Sequence, residues 1–427
     1  MKIHIIGAGP TGMSVAWEIL RSTTHDVIIY DKKSSAGGSW WEPSLEYRDM
    51  HAHRVVFDRA FANTQSLFNE MGIRWGDVFE KIEYDYDYVL KNLNFRDYLA
   101  LTWLSLRVLS RPEHYARISL KKTIGDVSEK CKKILSRLTF QMDGVGWDVM
   151  SAYEFVKSFD HVGLSNMCTQ KVSGKVMCDA MQRALEEKGA KFIFNKELKS
   201  VDYNDDTHIA RFVDASEITD GYLILCLDNS PARRIVGDNW GKEAKKKIHN
   251  ATYGCINILI DYAEPIQLKN DLEIAIDTEW NLQPVVLSNK RTVSCLICDL
   301  TEEILTTNPE LLKDGVLRQL DIGRTPINVR IGWGSEWDGH RWTFSQSSGV
   351  LGLKGQVPFF GKSSSVALCG MMSPRTTPYS SLEAAIEVSR SLCHQKFGTR
   401  RPTSPVKVTN IIVLLIVLFI VYRYTRR

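Results

Sequence analysis

The segment Lys2–Asp31, KIHIIGAGPTGMSVAWEILRSTTHDVIIYD, decides the fold that we expect for this chain. Three isoleucines within residues 2–6 predict a short buried strand that ends at a glycine turn. Apolar residues recur on one face over residues 10–21, which predicts a helix, and the apolar residues 27–30 predict a second strand. A strand, a helix and a strand within about thirty residues form one βαβ module. The sequence therefore predicts an α/β fold.

The turn after the first strand, GAGPTG, matches the pattern GxGxxG through Gly7, Gly9 and Gly12. The first glycine permits the tight turn, the second lets a pyrophosphate approach the backbone, and the third lets the helix pack on the sheet. Pro10 and Thr11 open the helix, whose free N–H groups and dipole favour a negatively charged ligand. The pattern predicts a dinucleotide-binding turn; a glycine turn without a ligand is the alternative.

Asp31 closes the second strand, nineteen residues after Gly12. Its carboxylate is placed to accept hydrogen bonds from a ribose, as in other dinucleotide-binding βαβ units. This spacing supports the prediction of a dinucleotide site. It does not distinguish FAD from NAD.

Three further segments do distinguish them. Gly37 and Gly38 form a doublet six residues after Asp31, in DKKSSAGGSWWEP. The segment GKVMCDAMQRALEEKGAKFIFNKELKSVDYN predicts a helix followed by a strand. The segment LCGMMSPRTTPYSSLEAAIEVS predicts a strand, a loop and a helix, more than three hundred residues after the doublet. In this order the segments resemble the FAD-dependent superfamily of amine oxidases, protoporphyrinogen oxidases and phytoene-desaturase-like enzymes.

The resemblance implies a Rossmann-like FAD-binding domain of the glutathione-reductase type, a mixed α+β substrate domain and non-covalent FAD. In this superfamily the backbone near the second of these segments contacts adenine, and the last helix closes over the flavin. A positive helix N-terminus there would stabilise negative charge on the reduced flavin; an ordinary amphipathic helix with a serine N-cap is the alternative. The predicted cofactor-binding residues are Gly7, Gly9, Pro10, Thr11, Gly12, Asp31, Lys32, Gly37, Gly38, Ser39, Trp40, Leu198, Gly370, Met371, Ser381 and Leu382.

Departures from the superfamily pattern leave other functions open. Ser39 stands where amine oxidases usually carry arginine, Met371 stands where an acidic residue normally ends the last strand, and Ser381 replaces one aromatic residue of the monoamine oxidase cage. The sequence GGSW also resembles flavin monooxygenases, but we find no second GxGxxG for NADPH. The alternatives are an NADPH-dependent monooxygenase-like enzyme and a non-catalytic FAD-binding membrane scaffold.

The sequence identifies no catalytic side chain, because the cofactor carries out the redox step while the protein orients the substrate and excludes water. The stretch LEYRDMHAHRVVFDRAFANTQSLFNEMGI resembles desaturase-like members and would place His51, His53 or Arg54 near the flavin; a structural role is the alternative. Three tryptophans either line a substrate pocket or pack in the core: Trp333, Trp337 and Trp342.

The composition excludes several other classes of function. Without the six basic residues that follow residue 399, 48 basic residues stand against 50 acidic ones, so no basic face for nucleic acid is expected. Cys295 and Cys298 form a CxxC without a second ligand pair, and we predict buried strand rather than a zinc site. Nine scattered cysteines and no secretory signal fit a reducing compartment.

The pattern of elements predicts a cofactor domain assembled from separate segments. The predicted boundaries are 1–57, 166–245 and 346–397 for the FAD-binding domain, 58–165 for a mainly helical part of the substrate domain, 246–345 for its sheet, 398–405 for a linker and 406–424 for a transmembrane tail.

Residues 408–422 are strongly apolar and are followed by basic residues. A membrane span needs ~20 residues, which this segment reaches only if Val406, Lys407 and Tyr424 are counted. We predict a C-terminal tail anchor in the mitochondrial outer membrane or the ER, with the body in the cytosol. The sequence thus predicts a membrane-anchored FAD-dependent oxidoreductase that oxidises an amine or an apolar, lipidic substrate by hydride transfer. It does not predict the electron acceptor or the oligomeric state.

Overall fold

The central sheet of the molecule is parallel and is built from distant parts of the chain. The computed structural model describes residues 1–42, 54–82, 91–237, 239–248, 254–266, 278–287, 289–332, 334–344 and 356–412. The strands of the central sheet lie in the order Val366–Leu368, Tyr222–Leu225, Lys2–Ile6, Asp26–Tyr30 and Lys191–Ile193. Ile5 pairs with Ile29 on one side and with Ile224 on the other. All three side chains are inaccessible to solvent, as expected where helices or loops cover both faces of a parallel sheet.

Four antiparallel sheets surround this centre. A four-stranded sheet has the order Gln283–Val286, Thr292–Ile297, Ile256–Asp261 and Asn328–Ile331. A hairpin joins Ser335–Trp337 to Trp342–Phe344. The two three-stranded sheets consist of Val56–Phe57, Met167–Gln170 and Phe79–Lys81, and of Leu198–Tyr203, His208–Phe212 and Glu217–Ile218.

The helices of the described residues fall into three groups along the chain. Two pack directly on the central sheet or on each other beside it, Pro10–Ser22 and Leu382–Phe397. A helical region spans Phe95–Ser110, Pro112–Tyr115, Leu120–Thr123, Glu129–Asp143 and Ala152–Val162. The remaining helices are Ala62–Glu70, Trp75–Val78, Gly174–Glu187, Asn229–Ile235, Gly241–Lys247, Glu302–Thr306 and Pro309–Leu320, with a short 3-10 turn at Gly38–Trp40.

The first and last of these long helices are joined by a buried ion pair. Arg390 donates from Nε to Glu18 Oε1 at 3.0 Å, and both side chains are at most 1% exposed. Arg390 also donates from Nη1 to Asn63 Oδ1 at 3.0 Å, which ties in the helix Ala62–Glu70. Arg400, just after the last helix, donates to the same Glu18 Oε1 at 2.8 Å. A buried carboxylate shared by two arginines holds the two ends of the body together.

The α/β architecture and the positions of the main elements agree with the sequence analysis. The strand Lys2–Ile6 and the helix Pro10–Ser22 lie where the βαβ pattern placed them. The central sheet takes its strands from the three segments assigned to one cofactor domain; the domain boundaries themselves stay predictions. Trp342 is buried in the core of the antiparallel sheet, beside Trp337, which favours the packing role over a pocket for this pair. Trp333 lies outside the described residues.

The predicted transmembrane helix requires a correction. Across the ranges that the structure describes, no helix has both the length and the apolar character needed to cross a bilayer. The helical residues at 408–412 are too few to span, and residues 413–424 of the predicted tail lie outside the described ranges. Thr409 N–H donates to Asp160 Oδ1 at 2.9 Å, so this segment begins against the body of the protein. We therefore withdraw the C-terminal transmembrane helix and the tail-anchored localisation.

We expect the replacement Arg390→Met to lower the free energy of unfolding by about 3–5 kcal/mol, because Glu18 stays buried without its main partner. The loss should lie near the lower end, since Arg400 still reaches Glu18. Urea unfolding followed by circular dichroism measures it. The control Lys246→Met removes an exposed ion pair with Glu243 and should leave the unfolding curve unchanged. A double variant, Glu18→Gln with Arg390→Met, should recover part of the loss; an Arg390→Met protein as stable as the wild type would contradict the role of this ion pair.

Candidate functional site

The glycine turn after the first strand leaves no room for side chains. Gly7 has φ of +110°, and a Cβ there would lie 2.1 Å from the carbonyl oxygen of Cys226. A Cβ on Gly12 would lie 1.9 Å from Gly7 O. The helix begins at Pro10 after the N-cap Gly9, which supplies no side-chain cap, and no acidic residue lies in its first turn. The first N–H groups of this helix are therefore arranged as an anion-binding N-terminus.

The glycine doublet packs directly on this turn. A Cβ on Gly38 would lie 2.7 Å from the Cα of Gly9, and Gly37 donates its N–H to Ala8 O at 2.9 Å. Gly37 and Gly38 both have positive φ, which favours glycine. The next residue, Ser39, is exposed, whereas Trp40 is buried. The predicted pyrophosphate turn and the predicted doublet thus form one continuous backbone surface.

Asp31 organises the loop between these two glycine motifs. Its Oδ2 accepts a hydrogen bond from Ala8 N–H at 2.7 Å, and its Oδ1 accepts one from Lys33 N–H at 2.8 Å. Each carboxylate oxygen has a second lone pair, so these bonds leave capacity for a ribose hydroxyl. Asp31 thus has a structural role in addition to the binding role that we predicted.

The lysine that contacts the doublet is Lys33 rather than the predicted Lys32. Lys33 donates from Nζ to Gly38 O at 2.9 Å and lies 4.6 Å from the centre of the Trp41 ring. Burial lowers the pKa of Lys33 to about 8. Lys32 is exposed. Adjacent lysines in a loop carry no periodic pattern, so the sequence gave no signal for choosing between them.

The segment around Leu198 runs beside Asp31. Lys196 N–H donates to Asp31 O at 2.8 Å, and Asn195 N–H donates to Lys33 O at 3.0 Å. Leu198 opens the next strand, opposite Phe212. The predicted adenine-contacting backbone is thereby close to the predicted ribose-binding carboxylate, and contact with adenine stays a prediction.

The chain after the strand Val366–Leu368 lies at the same edge of the sheet. A Cβ on Gly370 would lie 2.8 Å from Leu227 O, just beyond the neighbouring strand. Met371 is partly exposed, and its carbonyl oxygen accepts a hydrogen bond from Arg375 Nη1. The loops that follow three adjacent parallel strands therefore converge, and ligands of open α/β sheets bind at this carboxyl edge.

The last helix begins at Leu382, with Ser381 as its N-cap. Ser381 Oγ accepts a hydrogen bond from Ala384 N–H at 3.1 Å, as the serine-cap alternative requires. Glu383, in the first turn, points away into the protein. Its carboxylate accepts hydrogen bonds from the backbone and side chains of Asn63 and Thr64, at 2.7–3.0 Å. The acidic side chain thus serves another helix and does not occupy the N-terminus of its own.

The first and last helices run parallel with staggered N-termini. Ser389 Oγ donates to Thr11 O at 2.9 Å, and four residues later Cys393 Sγ contacts Val15 O at 3.8 Å. Leu382 lies seven residues before Ser389, so the last helix begins about 10 Å ahead of the first. Two positive helix ends therefore face the same side of the molecule at different depths.

Side chains near the doublet form the wall of a cleft. Arg54 donates from Nη1 to Ser39 Oγ at 3.3 Å and covers the Trp40 ring at 5.0 Å. Burial lowers the pKa of Arg54 to about 10, although its side chain is partly accessible. Cys255 is exposed, yet burial raises the pKa of its thiol. Side chains that are surrounded by protein and still accessible lie on a concave surface. His51 and His53, which we also predicted near the flavin, lie outside the described residues.

Comparison with known proteins agrees with this geometry. Residues 5–69 match the family model of an NAD(P)-binding Rossmann-like domain. The fold is similar to an oxidoreductase from Methanosarcina mazei, with a TM-score of 0.67 and 14% identity over 92% of this chain and 100% of the other. The chain has the amine oxidase fold.

Two further structures share that fold. Putrescine oxidase has a TM-score of 0.67 and 13% identity, over 93% of this chain and 99% of the other. A putative protoporphyrinogen oxidase from Exiguobacterium has a TM-score of 0.63 and 13% identity, over 92% and 98%. No curated protein matches the sequence. The predicted superfamily resemblance and the Rossmann-like α/β fold are confirmed, and the predicted FAD-dependent enzyme class agrees with these relatives.

In this amine oxidase fold a buried histidine supports the segment before the last helix, a feature that the sequence analysis missed. His161 Nδ1 and Tyr379 OH lie 2.9 Å apart, and both side chains are buried. Burial lowers the pKa of His161 to about 4. The Tyr379 ring stacks at 6.4 Å on Phe61. The imidazole is therefore neutral at physiological pH.

Because the folded protein binds the His161 proton more weakly than the unfolded chain, stability should fall as the pH drops from about 6.5 to 4. The shift corresponds to about 3 kcal/mol once the pH is below both pKa values. His161→Gln should lose this part of the pH dependence, measured by urea unfolding at pH 4, 5, 6 and 7. His114→Gln, at an exposed histidine, is the matched control. The same acid loss in His161→Gln and in the wild type would contradict this assignment.

Proposed function

We propose that this chain is an FAD-dependent oxidoreductase that holds FAD without a covalent bond and oxidises a small organic substrate. The observation that carries the proposal is the pair of staggered helix N-termini at the carboxyl edge of the parallel sheet. A single FAD molecule has a pyrophosphate and a flavin ring separated by a ribityl chain. Two positive helix ends at different depths suit these two groups, whereas NAD has no second group that becomes anionic on reduction.

The residues at this edge suit a dinucleotide of this size. The Gly9–Gly38 contact presents bare backbone to a pyrophosphate, next to the uncapped N-terminus at Pro10. Asp31 has free lone pairs for the ribose, and the segment leading to Leu198 lies beside it. At the other end Gly370, Met371, Ser381 and Leu382 approach the place that a flavin ring would take. Bound FAD would supply the two-electron acceptor for a hydride from a substrate C–H bond.

The chain's own contribution would be positioning and exclusion of water. Glu387 accepts hydrogen bonds from Thr376 N–H at 2.6 Å and Thr377 N–H at 2.8 Å, which holds the loop before the last helix. Arg54 and Lys33 place two cations at the cleft wall without an acidic ion-pair partner for Arg54 among the described residues. These cations would favour the anionic parts of a bound ligand.

The substrate class rests on the relatives and on the cleft. Structurally similar proteins include putrescine oxidase and a putative protoporphyrinogen oxidase. We therefore propose an amine or an apolar substrate, bound between the doublet loop and the antiparallel sheet that begins after Cys255. Oxidation of such a substrate needs no protein nucleophile, in keeping with the lack of a predicted catalytic dyad.

The first test is the visible spectrum of the purified full chain. We expect a yellow protein whose absorption matches oxidised flavin and whose cofactor passes into the supernatant as FAD after denaturation. Flavin that stays with the denatured chain would contradict the non-covalent part. A colourless protein that also fails to bind added FAD would contradict the proposed function itself.

The second test places FAD at the glycine turn. A methyl group in Gly9→Ala would lie 3.3 Å from Gly38 Cα, where the pyrophosphate is proposed to approach, so we expect the Kd for FAD to rise at least about tenfold. Quenching of flavin fluorescence measures the Kd, and thermal unfolding of the FAD-free protein shows whether the fold is kept. Gly76→Ala, at a glycine with open space around it, is the control. Equal affinity in all three proteins would place the cofactor elsewhere.

A further inference from the structure

Two buried carboxyl groups face each other beside the segment that leads into the last helix. Asp143 ends the helix Glu129–Asp143, and Glu154 lies in the first turn of Ala152–Val162. Glu154 is 3% exposed, and neither of its carboxyl oxygens meets an N–H or O–H donor among the described residues. Asp143 Oδ2 is likewise buried without a donor. Two such acceptors can lie in contact only if a proton is shared between them.

The surroundings favour that shared proton. Burial raises the pKa of Glu154 well above its usual range, and the neighbouring Asp143 charge raises it further. Burial also raises the pKa of Asp143 to about 6. Arg375 opposes both shifts, but less than burial promotes them. The pair therefore titrates as a unit and keeps a proton at neutral pH.

The pair is attached to the start of the last helix. Asp143 Oδ1 accepts a hydrogen bond from Ser380 N–H at 3.1 Å, and Ser380 directly precedes the N-cap. Arg375, whose charge acts on both carboxyl groups, donates from Nε to Thr377 O at 2.9 Å and from Nη1 to Met371 O. The helical region thus holds the segment between the last strand and the last helix at both of its ends.

Other charged or titratable groups face this cluster from each neighbouring element. On the closing segment these are Arg375, Tyr379 and Glu387, and on the helix of Glu154 the neighbour is Tyr153. Burial raises the pKa of both tyrosines, so they stay neutral. Glu387 is occupied by hydrogen bonds from Thr376 and Thr377. Arg375 is therefore the cation that balances the pair.

We propose that Asp143 and Glu154 act together as positioning residues for the cofactor. In the singly protonated state they hold Ser380 and Arg375, and thereby fix the N-terminus of the last helix toward the cleft. When the shared proton dissociates, two like charges are in contact next to a single arginine, and the closing segment is released. This inference rests on the proposed function, because the quantity it controls is the affinity for FAD.

The direction of the pH effect follows from the proton balance. The form that binds FAD best carries one proton more than the released form. The Kd for FAD should therefore rise with pH above neutrality, by at most about tenfold per pH unit for one linked proton. Glu154→Gln supplies a permanently neutral hydrogen-bonding partner for Asp143. Its Kd should stay nearly constant over the range in which the wild-type Kd rises.

The experiment measures the Kd for FAD by flavin fluorescence between pH 6 and 9 in the full chain. The proteins are wild type, Glu154→Gln, Asp143→Asn and, as control, Glu129→Gln, an exposed carboxylate on the helix of Asp143. We expect both pair variants to flatten the profile and the control to follow the wild type. Equal slopes in wild type and Glu154→Gln would overturn the proposal. Weaker binding in both pair variants by the same factor at every pH would indicate a merely structural role and would also overturn it.

The FAD-free protein provides a second readout that does not depend on the cofactor. Because the folded pair binds its proton more tightly than the unfolded chain, the wild type should lose stability in urea as the pH rises from 5 to 8, relative to Glu154→Gln. A common pH dependence in the two proteins would contradict the shared proton. If no variant bound FAD at any pH, the proposed function would fail, whereas this slope would still report whether the pair shares a proton. If Glu154→Gln does not fold, Asp143→Asn serves in its place.

Discussion

The rest of the structure depends on the buried contact between Glu18 and Arg390. A carboxylate and a guanidinium that are both removed from solvent are stable only when their hydrogen bonds are well formed, and here Asn63 and Arg400 complete the set. The contact fixes the rotation and the axial offset of the last helix against the first. Without that offset the Ser381 and Pro10 ends would not open toward the same cleft. One ion pair thus determines where two separate cofactor-binding ends lie.

The same arrangement explains why acidic side chains are absent from the exposed helix ends at the cleft. The carboxylate of Glu383 lies in the first turn of the last helix, but it turns away and caps the helix Ala62–Glu70 through Asn63 and Thr64. Asp31 is likewise held by backbone N–H groups of Ala8 and Lys33. Both residues stabilise neighbouring backbone while the positive ends of the helices stay open to an anion.

The parts of the site that the sequence predicts well are those carried by local patterns. GxGxxG and the doublet Gly37–Gly38 are read within a few residues, and the structure brings them into contact. Contacts between distant segments leave no such trace: nothing in the sequence relates Arg390 to Glu18, His161 to Tyr379 or Asp143 to Ser380. The choice between Lys32 and Lys33 depends on a loop conformation. The transmembrane prediction was wrong because hydropathy of a short run was extended to a span through polar flanking residues.

The way the chain threads through the central sheet has a consequence for biosynthesis. The strand Lys2–Ile6 leaves the ribosome first, but its neighbour Tyr222–Leu225 follows more than two hundred residues later, and the edge strand Val366–Leu368 later still. Pairings so remote along the chain form slowly, since loop closure must precede them. The nascent N-terminal half therefore has apolar strand edges that wait for partners. Coenzyme can be captured only after translation has passed the final helix, so its supply acts on a nearly finished polypeptide.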